Sequence, residues 1–380
     1  MAKVIIIGPA YPLRGGLATF DHRLAKAFQD AGHECCIYSF SLQYPSFLFP
    51  GKTQFSDEPA PEGISIKTLI NSINPFNWIS VGRKLRKENA DLVVVRFWLP
   101  FMGPALGTIL RQLNRKKTKV ICIADNAIPH EKRIGDRPFT NYLFKACDGF
   151  VAMSDKVFED LKQFPNSEKP KVILQHPLYD NFGEKLSKAA AREHLGIEAS
   201  TPILLFFGFI RKYKGLDLLL DAFASFKKEY PDGRHKLLIA GEFYEDETAY
   251  LAQIEALGIA KDVILRTVFI PDSEVRYYLS AADVLVQPYK QATQSGVTPL
   301  AYYFEVPMVV TNVGGLPSLV PHEKSGIVAE PTPKSICEGI AAYYSFGDAH
   351  FIPHLQAEKQ KLSWETFVSS IETLSKNIES

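Results

Sequence analysis

Three cations within four positions, Arg211, Lys212 and Lys214, stand in the run Phe206-Phe207-Gly208-Phe209-Ile210-Arg211-Lys212-Tyr213-Lys214-Gly215, between a strand-like stretch and a helical one. Cations grouped at the mouth of a sheet neutralise a departing diphosphate, because a buried anion needs charge fixed in advance. Lys214 immediately precedes the glycine that opens the helix, so Arg211 and Lys214 are the pair expected to hold it. The plainer alternative is solvated surface charge.

The segment from Ala282 to Val320 points to the same chemistry. It reads as a buried strand (Asp283 to Gln287), a loop ending in Gln294-Ser295-Gly296, a short helix through Phe304, a strand (Pro307 to Thr311) and a Gly314-Gly315 turn. Small residues at the start of a helix, after a parallel strand, offer unpaired backbone N–H groups to a phosphate. The amides of Gln294, Ser295, Gly296 and Val297 are candidates for sugar and phosphate, and the side chains of Gln294 and Thr298 for sugar hydroxyls. A nucleotide or sugar phosphate is the first ligand expected.

Gly15 and Gly16 form a third candidate, in the loop from Gly8 that follows the first strand. They let a ligand approach the backbone at the positive end of a helix, or they serve a turn that needs positive φ. The loop is not GxGxxG, which argues against a dinucleotide site. His130, beside Pro129 after the run Val120 to Ala124, is placed to hydrogen-bond a ligand hydroxyl, to act as acid or base, or to be structural.

Alternating strands and helices must position these loops. Apolar runs such as Val4 to Ile7, Leu92 to Val95, Lys119 to Ala124, Ile203 to Phe207 and Lys236 to Ala240 are separated by amphipathic segments, the pattern of parallel strands buried on both faces. The alternation breaks near His176 to Ser200 and restarts, predicting two doubly wound α/β domains. At 380 residues the chain suits two such cores. An amphipathic helix from Trp364 to Ile378, with no strand after it, is expected to cross back and brace the first domain.

Composition narrows the classes. The chain is 46% hydrophobic and 22% charged, as globular proteins are, and the N-terminal apolar run is too short for a signal core or a membrane span. Cys35, Cys36, Cys122, Cys147 and Cys337 are odd in number and lack CxxC spacing, so reduced core thiols in a cytoplasmic protein are expected and no metal ligands. Residues 1–178 carry 24 Lys+Arg against 16 Asp+Glu, a balance of +8, while residues 179–380 carry 19 against 26, or −7. The basic half fits an anionic membrane or acceptor, or simply a mutual attraction of the two domains. The clusters Arg83 to Lys87 and Arg111 to Lys119 lack interleaved aromatics and read as solvated helix faces, which disfavours nucleic acid. The aromatic segments Tyr44 to Pro50 and Phe97 to Met102 fit either a lipid-carried acceptor or buried packing.

Several spaced motifs, in order, resemble the retaining glycosyltransferases of family 4, which have the two-domain GT-B fold. They are Pro12-Leu13-Arg14-Gly15-Gly16, Ala31-Gly32-His33-Glu34, Asn126 to Glu131, Gly208 to Gly215, Ala240-Gly241-Glu242, Val268-Phe269-Ile270-Pro271, Ser280-Ala281-Ala282-Asp283 with Pro288, and Val306 to Gly315. The resemblance implies two Rossmann-like domains facing across a cleft: residues 1–178 on the acceptor side, joined by a C-terminal helix at 360–380, and 179–359 binding the nucleotide sugar. It implies a nucleotide-sugar donor, here a UDP- or GDP-sugar, a saccharide acceptor, retention of anomeric configuration and no metal. The basic half and the aromatic segments add the expectation of a lipid-linked acceptor at the cytoplasmic membrane face. Within the resemblance, Arg211 and Lys214 hold the diphosphate, His130 stands near the donor sugar, and backbone groups around Val268 and Phe269 grip the base.

The chain departs from the family in two places. Phe209 stands where many members carry an arginine, and Ala292 and Leu300 stand where two glutamates eight positions apart are usual. The missing glutamates make a non-catalytic nucleotide-sugar binder the main rival reading, and the shared two-domain architecture makes a sugar-nucleotide epimerase the second.

Overall fold

Runs of Val, Ile, Leu and Phe become parallel strands because both faces of each are covered by helices. A computed structural model describes residues 1–45, 53–128, 134–165, 168–231, 233–292 and 295–378. The chain divides into two units, Met1–Pro177 with Ser363–Ser380, and Leu178–Leu362.

The first unit is built on β1 (Lys3–Ile7), β2 (Glu34–Leu42), β3 (Ser65–Asn71), β4 (Leu92–Phe97), β5 (Lys119–Ala124), β6 (Gly149–Ala152) and β7 (Lys171–Ile173). Among the described residues they form one sheet in the order β3-β2-β1-β4-β5-β6-β7. Its centre is β1, with Val4 paired to Cys35 on one side and to Leu92 on the other. The chain winds outward from β1, then returns to β1's other side, so the switch point lies between β1 and β4. Ligands gather at the carboxyl edge of such a point.

The second unit repeats the plan with β8 (Ile203–Phe207), β9 (Lys236–Ala240), β10 (Val263–Arg266), β11 (Val284–Gln287), β12 (Met308–Thr311) and β13 (Gly326–Ala329). Their order is β10-β9-β8-β11-β12-β13, and all pair in parallel. The switch point falls between β8 and β11, the two strands that lead into the cationic loop and the Ser295 loop.

The last helix, Trp364–Lys376, belongs to the first unit. Ser363 caps it, its hydroxyl accepting from Thr366 N. Trp364 and Phe367 then pack on Phe20 of the helix Gly16–Asp30, at ring-centre distances of 5.0 and 5.8 Å. His33 and Glu372 pair farther along the same contact. All five cysteines are buried and free.

Candidate functional site

The cationic loop begins where β8 ends. Gly208 N donates to Ala240 O, and Ile210 N to Glu242 O, so the chain follows β9 for two further residues before turning. A 3₁₀ turn, Lys212–Lys214, then leads through Gly215 into the helix Leu216–Glu229. Gly215 has φ +69°, and a Cβ there would lie 2.0 Å from Pro288 O. The turn is thereby clamped against the chain leaving β11, where only glycine fits.

That clamp sets the charges apart. Lys214 points inward and is 8% exposed, while Arg211 is exposed, its guanidinium 5.0 Å from the centre of the Tyr244 ring. The Lys214 Nζ lies 3.1 Å from where a Cβ on Gly208 would be, and 5.7 Å from the Tyr289 ring centre. Among the described residues no carboxylate pairs with it. Burial, aided by the neighbouring Arg211 charge, brings its pKa down to about 7.

The Ser295 loop meets the cationic loop at Gly208, where Val297 Cγ2 is 3.6 Å from the same virtual Cβ. The Ser295 hydroxyl accepts from Val297 N at 3.2 Å and contacts the Tyr289 hydroxyl at 3.2 Å. Thr298 is 1% exposed and its hydroxyl exchanges hydrogen bonds with the Gln287 amide. The Thr298 hydroxyl is thus engaged by Gln287, as Val297 N is by Ser295. Gly296 opens the helix Val297–Tyr303, with the Tyr179 ring 3.7 Å from its virtual Cβ. The Gly314 turn is seated on this loop, since a Cβ there would overlap Ala292 O at 1.6 Å. Ala292 and Leu300 are both buried.

Val268 and Phe269 follow β10 on the same unit. Val268 is 56% exposed. Phe269 stacks at 6.1 Å on Phe209, which packs at 4.3 Å on Tyr244, so Phe209 contributes an aromatic face where a cation is expected from the resemblance.

In the first unit, Gly15 caps the helix Gly16–Asp30 with φ +102°, the positive-φ turn that glycine favours. His130 and Gln294 lie outside the described residues.

The structure adds a group that the sequence reading passed over. Arg96, at the end of β4, makes a bidentate pair with Asp125, Nε to Oδ2 and Nη2 to Oδ1, both at 2.6 Å. Its Nη1 is 3.7 Å from Asp21 Oδ1, and its guanidinium lies 3.9 Å from the Phe20 ring centre. Asp21 is fully buried, and burial pushes its pKa up to about 8 against the pull of Arg96. The cluster sits beside Gly8, whose virtual Cβ would be 2.1 Å from Asp21 Oδ2, at the switch point between β1 and β4. An arginine closing the apolar run Leu92 to Val95 and an aspartate directly after the apolar strand Lys119–Ala124 were the available signals.

Among the described residues, no group of three or more His, Cys, Asp or Glu is placed to hold a metal ion. No helix among them is long and apolar enough to cross a membrane.

Comparison with known proteins joins both units to one family. Residues 14–174 match the model described as Glycosyltransferase Family 4, and residues 201–345 that described as Glycosyl transferases group 1. A D-inositol 3-phosphate glycosyltransferase of Pseudarthrobacter chlorophenolicus is 30% identical over 340 residues, covering 83% of this chain and 78% of the relative. One from Thermobifida fusca is 26% identical over 343 residues, covering 83% and 77%. Among solved structures, sucrose-phosphate synthase from Thermosynechococcus elongatus superposes with a TM-score of 0.76 at 16% identity, covering 99% of this chain and 98% of that one. Anabaena HepE in complex with UDP-glucose gives 0.74 at 17% identity, covering 99% and 100%. The chain belongs to the group 1, family 4 glycosyltransferases, enzymes of glycosyl transfer built on the two-domain α/β GT-B fold.

Proposed function

We propose that this chain moves a sugar from a UDP- or GDP-sugar, bound on the unit Leu178–Leu362, to a saccharide or lipid-linked saccharide carried by the other unit. The observation that carries this reading is Lys214: a buried amine without a carboxylate partner among the described residues, at the carboxyl edge of a switch point, beside Gly208 and Val297. Such an amine is incomplete until an anion arrives. Anabaena HepE, of the same fold, is described with UDP and with UDP-glucose, which supports a nucleoside diphosphate as that anion.

In this reading the bond from the sugar's anomeric carbon to the diphosphate oxygen breaks, and a bond to the acceptor oxygen forms on the same face, with retention. The acceptor's proton passes to the departing diphosphate, so no enzymic nucleophile and no metal are needed. Lys214 and Arg211 stabilise the charge that develops on the diphosphate. His130 is assigned to the donor sugar, the backbone at Val268 and Phe269 to the base, and Gly15 and Gly16 to a close approach of the phosphates. Gln294, Ser295, Gly296, Val297 and Thr298 form the sugar-side loop. Five buried, free cysteines support a cytoplasmic setting, and the basic N-terminal half a peripheral contact with an anionic inner membrane face.

Purified protein is tested with UDP- and GDP-sugars for transfer and for donor hydrolysis. Lys214→Ala and Arg211→Ala each lower turnover by on the order of a hundredfold, as loss of transition-state charge stabilisation does. Turnover near wild type in both variants would sink the assignment. Ala292 and Leu300, at the places of the two usual glutamates, favour a second reading in which the chain binds the donor without turning it over. Saturable donor binding with neither transfer nor hydrolysis would select it.

A further inference from the structure

The outer face of the helix Pro75–Lys87 stands out among the exposed surfaces. Asn74 caps it, accepting from Phe76 N and Asn77 N, and this pins Phe76 outward with 85% of its surface exposed. Ile73, just before the cap, is 51% exposed. Val81, Gly82 and Leu85 form the buried face, and Gly82 packs so closely that a Cβ would lie 2.5 Å from the Gln112 side chain. On the opposite face Phe76, Ser80, Arg83, Lys84 and Lys87 fall at helical spacing. Together with Ile79 they line a groove of about 480 Å³.

Charge completes the picture. The helix contains no acid, and among the described residues none of Arg83, Lys84, Arg86 or Lys87 forms an ion pair. The adjoining acid, Glu88, is already neutralised by Lys3 at 2.7 Å and Lys67 at 2.6 Å. Because the helix runs antiparallel to the strands, Phe76 lies at the carboxyl edge of the sheet and Lys87 at the amino edge. The face is thus an apolar tip followed by an unneutralised cationic stripe. A soluble polyanion would use the cations and leave Phe76 in water, whereas a bilayer uses both. The aromatic run Phe97 to Met102 does not compete for this role: Phe97, Pro100 and Met102 are in the core.

We propose that this face docks the N-terminal unit on a bilayer rich in anionic lipid, with Phe76 inserted among the acyl chains and Arg83, Lys84 and Lys87 at the head groups. It rests on the membrane contact proposed above and assigns that contact to one helix.

The test is co-sedimentation of the full chain with vesicles of phosphatidylcholine alone or mixed with phosphatidylglycerol, at low and high salt. Binding is expected only to the mixed vesicles, weakened by salt. The variant R83Q/K84Q/K87Q lowers the partition coefficient by on the order of a hundredfold, and F76S by roughly tenfold or more. Both keep the wild-type melting temperature within a few degrees, since the exchanged side chains are exposed, and both keep wild-type donor hydrolysis without vesicles. No binding to mixed vesicles at low salt, equal binding to phosphatidylcholine, or unchanged binding of either variant overturns the proposal. So does heparin binding that matches vesicle binding and ignores F76S. Vesicle binding without any sugar chemistry would instead remove the functional reading and leave this one standing.

Discussion

Lys214 is buried without an acid partner among the described residues, and in the proposed reading a diphosphate supplies its counterion. Its folded pKa of about 7 lies below the ordinary 10.5, so between those values the unfolded chain holds a proton that the native one releases. Stability from this group therefore falls as pH drops from 10.5 toward 7. A diphosphate beside the amine restores the charged form. UDP binding at pH 8 is expected to take up roughly one proton, measured by calorimetry in buffers of different ionisation enthalpy, and Lys214→Ala to bind without that uptake. Equal uptake by the variant would assign the titration elsewhere. Lys214 and Arg211 were legible in the sequence because four consecutive residues carry both, and a loop after a strand is a place with known properties. Their different burial was not legible, since it depends on Pro288 pressing against Gly215 from a distant part of the chain. The pairing of Arg96 with Asp21 and Asp125 was hidden for the same reason: each comes from a separate element.

Elements were legible where burial on both faces left an unmistakable apolar run. The strands β1, β4, β5, β8 and β9 follow such runs directly. At the sheet's edge the signal weakens. The strand β3, SIKTLIN, is half exposed and mixes polar with apolar residues, and the helix after it was visible only as a cluster of cations. The turn at Gly215 shows how one position governs an element's start. Gly215→Ala places a Cβ 2.0 Å from Pro288 O at φ +69°, so it is expected to cost about 2 kcal/mol or more of stability. Because the same turn buries Lys214, UDP affinity should fall by on the order of tenfold or more, one lost hydrogen bond to a charged group. Denaturant unfolding and UDP titration measure the two effects. Wild-type values in both would show that the turn shifts without consequence for the amine.

At the scale of the molecule, the chain leaves the first unit after Pro177 and returns to it at Ser363. The returning helix buries Trp364, Phe367, Val368, Ile371 and Leu374 there. At about 2 kcal/mol for each large apolar side chain, their loss rivals the whole stability of an ordinary domain. Ending the chain after Leu362 is therefore expected to unfold the first unit and spare the second. Hydrogen exchange reads this directly: amides of β1 and β4 lose protection while those of β8 and β11 keep it. Protection retained in β1 would show that the helix is dispensable. The sequence by itself determined the class of fold, the repeat of one α/β plan in two halves, the family, and the loops that end the strands. Those follow from local properties, apolar runs of strand length and glycines beside cations, that a linear chain displays. Only the tertiary structure decided which cation is buried, that Thr298 is tied to Gln287, that Arg96 gathers two acids, and which helix face is left bare. Each depends on atoms brought together from distant positions, and desolvation and pairing act through space rather than along the chain.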